Sequence, residues 1–498
     1  MAQTGIQVKR SEDFSEWYVQ AITRAELIEY TDISGCIVFR PWAFAIWEEI
    51  QAFFDGEIKK LGVKNAYFPC FVSQKALKAE EDHLEGFKPE VAWVTKSGDS
   101  DLAEPLALRP TSETIMYPMY SKWIRSHRDL PLKLNQWCNV VRWEFKHPVP
   151  FLRTREFLWQ EGHSAFSTKA EADEEVLQIL DLYRQVFEDL LAVPVTRGKK
   201  TDKEKFAGGL YTTTCEAFIQ PNGRAIQAAT SHCLGQNFAK IFNITIENEN
   251  NEKALVWQNS WGLTTRSIGI MLMVHGDDRG LILPPRIAPV QVIIVPVYTK
   301  TNSALVNAKC NEIVKLLVDA GIRAEADLRD NYKSGWKYNH WELKGVPVRV
   351  EIGQKDIEKA QVMAVRRDNS QKAVVPEANL VNDLKDTLIN IQKSLFEKAK
   401  KLKDEHTKSA ETWEQFLVHL NNKNIVKVPF CCTADCEGDV KVRSAAESKA
   451  QATDEKFELT GSAKSLCIPF EQDPLKPGTP CFACKKVAEA WTFFGRSY

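Results

Sequence analysis

The stretch from Arg142 to Phe166 restricts the possible folds of this 498-residue chain more than any other segment. It holds three arginines, two histidines and three glutamates among residues that favour β-strands. Two prolines close together, Pro148 and Pro150, are typical of a loop. The stretch therefore predicts an antiparallel hairpin with a long, basic tip.

Many of the charged and aromatic residues of this predicted hairpin share one face, because every second side chain of a strand points the same way. The shared positions are Arg142 and Glu144 in the first strand, and Phe157, Trp159, Glu161 and His163 in the second. Burying such a set is costly unless the charges have partners or a polar ligand. A surface hairpin with cross-strand ion pairs is the plain structural alternative.

The overall composition limits the partners of the chain. Hydrophobic residues make up 44% and charged residues 26%, which is typical of a soluble globular protein. The formal net charge is −1, so a nucleic acid has to be bound by local basic patches. No apolar run approaches the roughly 18–20 residues of a membrane span, and the first residues lack the apolar core of a signal peptide. We therefore expect a cytoplasmic protein without a membrane segment.

The first 285 residues mix helix and strand signals irregularly. A helix is predicted from Pro41, which suits a first helical position, to a stop at Gly62. Its apolar residues recur at helical spacing; they are Trp42, Ile46, Ile50, Phe53, Phe54, Ile58 and Leu61. Residues 66–72 predict a strand, and Pro69 in its middle places that strand at an edge or an interface.

From about residue 290 the pattern becomes regular. Strands are predicted at 290–297, 323–327, 346–352 and 360–367, and helices at 303–320, 336–344 and 381–395. Strands that alternate with helices predict a sheet domain of roughly 100 residues. The last helix runs into a charged segment, residues 397–408, which is either a solvated linker or an exposed helix end.

Six of the twelve cysteines lie after residue 430. Cys431 and Cys436 follow a C-x4-C pattern, and Cys481 and Cys484 follow a C-x2-C pattern. In a chain without a secretory signal, two such pairs suggest a tetrahedral four-cysteine zinc site. Cys432 could replace Cys431, and unpaired thiols without a metal are the alternative.

Several motifs, in this order, resemble those of class II aminoacyl-tRNA synthetases. The helix ending near Leu61 and the strand around Pro69 resemble motif 1, Arg142-x-Glu144 with Arg153-x-x-x-Phe157 resembles motif 2, and Gly262 to Gly269 resembles motif 3. The segment beginning at Arg109 resembles the amino-acid-binding loop of the subgroup that activates proline, threonine, serine, glycine and histidine. The segments beginning at Trp159, Thr230 and Phe494 resemble prolyl-tRNA synthetases of the eukaryotic/archaeal type. The sequence has no GxxxxGK[ST] or GxGxxG phosphate loop and neither of the class I signatures HIGH and KMSKS.

The resemblance implies an α+β fold in three parts. They are a class II antiparallel-sheet catalytic domain at 1–285, an α/β anticodon-binding domain at 286–395, and a small zinc-type α+β domain at 396–498. It also implies activation of L-proline with ATP and Mg²⁺, transfer to tRNA(Pro), and a homodimer formed through motif 1. Only 95 residues lie between Phe166 and Gly262, so we expect no editing insertion between motifs 2 and 3.

The resemblance assigns two catalytic arginines. Arg142 holds the α-phosphate and the proline carboxylate, and Arg266 holds the γ-phosphate of a bent ATP and covers one face of adenine, while Phe157 stacks on the other face. The remaining ATP contacts implied are Glu144, Arg153, Thr154, Gln227, Thr230 and Thr264. Glu144 either contacts the nucleotide or orients Arg142.

For proline, the resemblance implies that Thr111 and Glu113 bind the ammonium and Arg142 the carboxylate. The implied walls of the pocket are Trp159, Glu161, His163, Phe206 and His232. Taken singly, each histidine fits a satisfied core residue, and part of the core is the alternative for Trp159 and Phe206.

The tRNA is expected to bind the middle domain, where basic and aromatic residues suit single-stranded bases. These are Arg329, Lys333, Lys337, His340, Trp341, Lys344 and Arg349, and a solvated helix face is the alternative for any one of them. Lys199 to Lys205 predicts a solvated loop, with contact to the tRNA acceptor arm as the lesser alternative. The resemblance implies that the carboxylate of Tyr498 packs towards the catalytic domain.

Two other functions fit parts of the pattern. A threonine-specific synthetase requires zinc-binding cysteines and histidines in the amino-acid pocket, which Trp159, Glu161 and His163 do not supply. A synthetase-like regulator could dispense with Arg142 or Arg266, and both are present.

Overall fold

The computed structural model describes residues 5–81, 90–144, 147–298, 302–451 and 461–498. Phe145 and Lys146, at the tip of the predicted hairpin, lie outside the described residues. Within these ranges no helix is long and apolar enough to cross a lipid bilayer.

Helices and strands follow each other irregularly up to residue 285. The helices are α1 Phe14–Arg24, α2 Pro41–Lys60, α3 Gln74–Glu81, α4 Glu113–Trp123, α5 Lys169–Gln185, α6 Asn237–Ile241 and α7 Arg266–His275. The strands are β1 Ile28–Tyr30, β2 Ile37–Phe39, β3 Lys64–Asn65, β4 Phe71–Ser73, β5 Trp93–Ser97, β6 Ser100–Leu108, β7 Leu132–Val141, β8 Glu156–Phe166, β9 Thr196–Lys199, β10 Tyr211–Ile219, β11 Arg224–Gly235, β12 Thr245–Glu247, β13 Lys253–Leu255 and β14 Trp257–Thr264.

The next region has the regular alternation that the sequence predicts. Its elements are β15 Val292–Val297, α8 Ser303–Asp319, β16 Ala324–Ala326, α9 Ser334–Leu343, β17 Val348–Gly353, α10 Gln354–Glu358, β18 Gln361–Arg366, β19 Lys372–Pro376 and α11 Leu380–Glu405. Its five strands pair in the order β16-β15-β17-β18-β19. Gly321, with φ +82°, follows α8 as predicted, and β19 and α10 were missed.

The helix α11 continues to Glu405, so the charged segment is an exposed helix end and not a linker. It also passes through residue 395, where the sequence places a domain boundary. The last elements are β20 Thr407–Ser409, α12 Trp413–Asn421, β21 Ile425–Phe430, α13 Ala434–Gln451, β22 Lys464–Pro469 and β23 Ala490–Ser497.

One sheet of eleven strands connects the first and last regions, in the order β20-β21-β23-β22-β9-β10-β11-β14-β8-β7-β3. The junction is antiparallel between β22 and β9, where Ile468 faces Lys199. A short parallel contact joins β23 to β11, where Arg496 faces Arg224. The last region therefore extends the sheet of the first region instead of standing apart from it.

The predicted hairpin is present as β7 and β8, which pair antiparallel from Leu132↔Ala165 to Val141↔Glu156. The prediction that its first strand runs through Glu144 is wrong, because the strand ends at Val141 and Trp143 and Glu144 lie in a turn. Arg142 keeps one backbone contact with the other arm, since its N–H donates to the carbonyl of Arg155 at 2.7 Å.

The long helix α2 is confirmed, and Gly62 follows it with φ +80°, a backbone conformation that favours glycine. The predicted single strand over residues 66–72 is wrong. Two short strands, β3 and β4, flank Pro69 and belong to different sheets. Proline has no N–H to donate, so the ladder is interrupted where it stands.

The predicted solvated loop from Lys199 to Lys205 is also wrong in part, because Lys200 and Thr201 are buried. The ammonium of Lys200 lies 2.6 Å from a carboxylate oxygen of Glu216 and donates to the carbonyl of Leu466 at 2.7 Å. This lysine therefore connects the middle of the sheet to β22.

Candidate active site

One cavity of about 270 Å³ opens over β8, β11 and β14. All the residues that the sequence assigns to ATP and proline line it except Glu144: they are Thr111, Glu113, Arg142, Arg153, Thr154, Phe157, Trp159, Glu161, His163, Phe206, Gln227, Thr230, His232, Thr264 and Arg266. They come from parts of the chain more than 150 residues apart, which the antiparallel pairing of the sheet brings together.

Glu144 is exposed and does not line this cavity. The alternation that placed it beside Arg142 does not hold, because the strand ends at Val141, three residues earlier. Its negative charge still lies close enough to raise the pKa of Arg266, although weakly beside the effects that lower it.

Three guanidinium groups converge on the cavity. Arg266 begins α7 and donates through Nε to the carbonyl of Leu152 at 3.1 Å and through Nη1 to the carbonyl of Gln227 at 3.2 Å. Burial and, to a smaller extent, the neighbouring charges of Arg153 and Arg142 together lower its pKa to about 10. Arg266 remains charged at neutral pH, so the site favours an anionic ligand that would relieve this repulsion.

Arg142 lies over the aromatic side of the cavity. Its guanidinium carbon is 5.3 Å from the ring centre of Trp159 and 5.6 Å from that of Phe157. Its Nε donates to the carbonyl of Pro110 at 2.9 Å, which fixes the group beside the loop that carries Thr111. A carbonyl and two rings therefore hold this guanidinium group in place.

The loop from Arg109 to Glu113 is held by buried side chains, and the sequence assigned no role to two of them, Arg109 and Ser112. Arg109 donates to the carbonyls of Phe68 at 2.6 Å and Asn139 at 2.9 Å. The N–H and the hydroxyl of Ser112 both donate to Glu161, and the hydroxyl of Thr111 donates to Glu113. A carboxylate and a hydroxyl therefore face the cavity together, as an ammonium requires.

A buried ion pair forms the floor beside this loop. His163 Nε2 lies 3.1 Å from Glu161 Oε2, and the hydroxyl of Tyr117 lies 2.9 Å from His163 Nδ1. Burial alone would lower the pKa of His163, but Glu161 and Glu113 raise it above its ordinary value. Gln136 donates to the same Glu161 at 3.2 Å, a contact that only the β7–β8 register could have predicted.

The opposite wall consists of His232 and Phe206, whose ring centres are 4.9 Å apart. The hydroxyl of Thr212 lies 2.8 Å from His232 Nδ1. Burial, with a smaller effect of His163, lowers the pKa of His232 to about 3. This imidazole is therefore neutral and presents an apolar and weakly polar surface to the cavity.

Outside this cavity, four cysteines of the last region converge. The sulfur atoms of Cys431, Cys436, Cys481 and Cys484 all lie within 4.8 Å of one another. Two of the separations are 3.9 Å and 3.6 Å. Tetrahedral zinc with bonds of about 2.3 Å places sulfurs about 3.8 Å apart, so the donors fit this metal. Cys432 is directed instead towards the carbonyl of Phe430.

The basic set of the middle region is mostly engaged within the fold. Lys337 is buried, donates to the carbonyl of Asp327 at 2.7 Å, and lies 3.8 Å from its carboxylate. Arg329 donates twice to the same carboxylate, at 2.8 and 2.6 Å, and Trp341 donates to it at 2.9 Å.

Two further members of the set are paired: Lys344 with Glu26 at 2.6 Å and Arg349 with Glu351 at 2.9 Å. Lys333 is exposed. His340 stacks on Trp336 at 4.9 Å, and Trp336 stacks on Tyr332 at 3.7 Å. The i, i+4 spacing of these rings was the signal in the sequence, and the prediction missed Tyr332 and Trp336.

Three family descriptions match consecutive parts of the chain. "tRNA synthetase class II core domain (G, H, P, S and T)" matches residues 93–275, "Anticodon binding domain" matches 291–387, and "Prolyl-tRNA synthetase, C-terminal" matches 413–498.

Relatives align along almost the whole chain. A cytoplasmic proline–tRNA ligase of Arabidopsis thaliana is 57% identical over 99% of this chain and 91% of its own length. A proline–tRNA ligase of Encephalitozoon cuniculi is 46% identical over 99% of both chains. A bifunctional glutamate/proline–tRNA ligase of Mus musculus is 55% identical over 99% of this chain, which spans only 33% of that longer protein.

Proposed function

The chain belongs to the proline–tRNA ligase family of class II aminoacyl-tRNA synthetases, and we propose that it activates L-proline with ATP and transfers the prolyl group to tRNA(Pro). One observation carries this function. Arg142, Arg153 and Arg266 converge on the same cavity as the Thr111–Glu113 pair. The cavity therefore combines cations that can bind a triphosphate with a carboxylate that can bind an ammonium.

Activation joins two anions, and the arginines make that possible. A carboxylate oxygen of proline attacks the α-phosphorus, the bond from that phosphorus to the bridging oxygen breaks, and pyrophosphate leaves. Arg142 binds both the carboxylate and the α-phosphate, which offsets their repulsion. Arg266 and Arg153 bind the γ-phosphate, and Arg266 and Phe157 enclose adenine. Mg²⁺ enters with ATP, bound mostly through phosphate oxygens and water.

The other nucleotide contacts come from the two strands beyond the arginines. Gln227 and Thr230 on β11 and Thr264 on β14 line the cavity and supply hydrogen-bonding groups to the nucleotide, together with Thr154. Glu144 stands outside the cavity, and its charge near Arg266 supports an electrostatic role for it over a direct contact.

Proline binds between the anchored loop and the histidine wall. Thr111 and Glu113 accept the secondary ammonium, Trp159, Phe206 and His232 enclose the ring, and Glu161 with His163 holds the loop in place. The residues that line this cavity include no cysteine, which argues against the cysteine and histidine zinc set of a threonine pocket. Residues 167–256 supply α5 and strands of the central sheet, which supports a chain without an editing insertion.

The remaining parts complete the synthetase. Zinc binds Cys431, Cys436, Cys481 and Cys484 and stabilises the last region. The anticodon is recognised by the middle region around α9. The three-part division at 1–285, 286–395 and 396–498 describes the functional units, with α11 shared between the last two.

A homodimer forms next to α2, where Phe44, Tyr67 and Phe71 are at least 41% exposed. The enzyme acts in the cytoplasm.

The test is ATP–pyrophosphate exchange with each amino acid in turn. We expect exchange with proline, and weaker exchange with alanine, because lost methylenes are worth only about 1–3 kcal/mol. Exchange with threonine but not proline would contradict the assignment. Metal analysis of the purified chain checks the zinc site, and less than half an equivalent of zinc would contradict it.

A further inference from the structure

The loop at residues 200–206 lies between the active-site cavity and the last region. Its final residue, Phe206, lines the proline side of the cavity, and Glu204 lines the same cavity. The N–H groups of Glu204 and Lys205 donate to the carbonyl of Thr201 at 3.2 and 3.0 Å, which closes a tight turn just before Phe206. The place at which Thr201 is held therefore affects where Phe206 lies.

The end of the loop at Phe206 is attached to the wall of the proline pocket. The N–H of Phe206 donates to the hydroxyl of Thr212 at 2.9 Å, and that hydroxyl lies 2.8 Å from Nδ1 of His232. The rings of Phe206 and His232, 4.9 Å apart, form one surface. The other end of the loop needs a support of its own.

That support is a buried carboxylate of the last region. The hydroxyl of Ser465 on β22 donates to Oε1 of Glu437 in the first turn of α13. The hydroxyl of Thr201 lies 3.3 Å from that of Ser465. Because the proton of Ser465 is directed to the carboxylate, Thr201 donates to Ser465, and the three groups form one hydrogen-bonded chain. All three side chains are at most 4% exposed, so water does not compete for these contacts.

A lysine of the loop makes a second contact with the same helical turn. Nζ of Lys203 donates to the carbonyl of Ala434, the first residue of α13, at 3.3 Å. Gly438 leaves room for this ammonium, since a methyl group there would lie 2.9 Å from Nζ of Lys203. The start of α13 therefore holds the loop at two points.

The start of α13 is itself fixed within the last region. Cys436, next to Glu437, belongs to the cluster of four cysteines, and Val440 lies in the hydrophobic core of this region. The strand β22, which carries Ser465, pairs with β9 directly before the loop, where Ile468 faces Lys199. The support under Thr201 is therefore part of a packed unit.

We propose that Glu437 and Ser465 are positioning residues for proline, which act from the last region by holding the loop that carries Phe206. The proposal rests on the proposed function. Neither residue lines the active-site cavity, so both act through Thr201. The last region then contributes to the recognition of proline, in addition to extending the sheet.

This contribution should be larger for proline than for alanine. Phe206 encloses ring carbons that alanine lacks, so a loosened loop removes a contact that only proline makes. The arginines proposed to bind ATP, Arg142 and Arg266, lie outside the loop, after β7 and at the start of α7. The affinity for ATP should therefore change little.

The experiment measures ATP–pyrophosphate exchange by the full chain, with proline, alanine and ATP varied separately. Glu437→Ala is expected to raise the KM for proline about fivefold, within the range for residues that act on a site through a hydrogen-bonded network. The ratio of kcat/KM for proline over alanine should fall by a similar factor, and the KM for ATP should stay within about twofold. Glu437→Gln, which keeps an acceptor oxygen for Ser465, should retain most of the affinity for proline.

Asp435→Ala is the matched control, because Asp435 is exposed and flanks Cys436 on the side opposite to Glu437. It should leave the KM values for proline, alanine and ATP unchanged. Thr201→Val removes the hydroxyl at the other end of the chain and leaves the residues around the cysteines intact. It should reproduce the rise in the KM for proline, and it decides the question if Glu437→Ala does not fold.

A KM for proline within twofold of the wild type in either folded variant would overturn the proposal. An equal rise in the KM values for proline and ATP would also overturn it. A rise in Asp435→Ala as large as that in Glu437→Ala would do the same, because the effect would then come from the cysteine cluster. Absence of proline-dependent exchange in the wild type would instead contradict the proposed function.

Discussion

The buried pair of Lys200 and Glu216 offers a direct test of how the last region is attached. The two side chains are 7% and 5% exposed, and their charged atoms are 2.6 Å apart. Apart from Lys200, the carboxylate has the hydroxyl of Thr214 as a partner at 2.7 Å. Lys200→Met removes the ammonium and leaves a buried carboxylate with that single hydroxyl.

The cost follows from the loss of one partner in a desolvated pair. Removing one member of a buried ion pair destabilises by about 3–5 kcal/mol, because the other charge stays buried without compensation. The variant also loses the donor to the carbonyl of Leu466. For a domain of moderate size this corresponds to a fall in unfolding midpoint of roughly 10 °C. Replacing both residues, in Lys200→Met/Glu216→Met, should recover most of the loss, because no unpaired charge remains.

Thermal unfolding followed by tryptophan fluorescence measures the midpoint, and limited proteolysis shows whether the last region is released first. Lys205→Met is the control, since Lys205 pairs with Asp202, whose side chain is 81% exposed. Exposed pairs contribute little, so this variant should unfold close to the wild type. The reasoning is refuted if Lys200→Met is no less stable than Lys205→Met, or if the double variant is as unstable as the single one.

Three further predictions concern the cavity, the sheet and the cysteines. Arg266→Ala should lower kcat/KM in the exchange assay by about 10²–10³-fold, and a loss under tenfold would contradict its role. Gly162→Ala should lower the unfolding midpoint by an overpacking cost of about 1–3 kcal/mol, because the new methyl would lie 2.2 Å from ring carbons of Trp261. Gly56→Ala is its control, with no atom within 4 Å, and should be neutral or stabilising. Cys481→Ser should reduce bound zinc below half an equivalent, measured by elemental analysis, and retention of a full equivalent would speak against the four-cysteine site.

The hairpin shows how far local pattern can predict this molecule. Alternation placed Phe157, Trp159 and His163 on one face, and the pairing of β7 with β8 confirms it. The same rule misplaced Glu144, because nothing in the alternation signals that the strand ends at Val141. A periodic signal is dependable inside an element and weak at its ends.

Contacts between segments that are far apart in the chain could not be predicted from the local sequence pattern. The charged neighbours of Lys200 predict a loop, but Lys200 donates to the carbonyl of Leu466, 266 residues away. The basic composition around Lys337 and Arg329 predicts a nucleic-acid surface, although Asp327 engages both residues. Charge in a sequence indicates that a partner is needed, and only the fold shows which partner it is.

The residues of the cavity could be predicted only in part. Its residues were assigned from the order of the motifs, and the structure brings all but Glu144 together. The residues that hold the loop, Ser112 and Gln136, were missed because their role depends on strand register. Positioning residues are harder to find from sequence than the groups they position, since their chemistry is ordinary.

The most direct test of the central claim is transfer of labelled amino acid to transcripts of tRNA(Pro) and tRNA(Thr) by the purified full chain with ATP and Mg²⁺. The account predicts that proline is attached to tRNA(Pro), that tRNA(Thr) is not charged, and that the Arg142→Ala variant, which lacks the cation shared by the two anions, gives at most a trace of product. Charging of tRNA(Thr) with threonine, or unchanged proline transfer by the Arg142 variant, would contradict it.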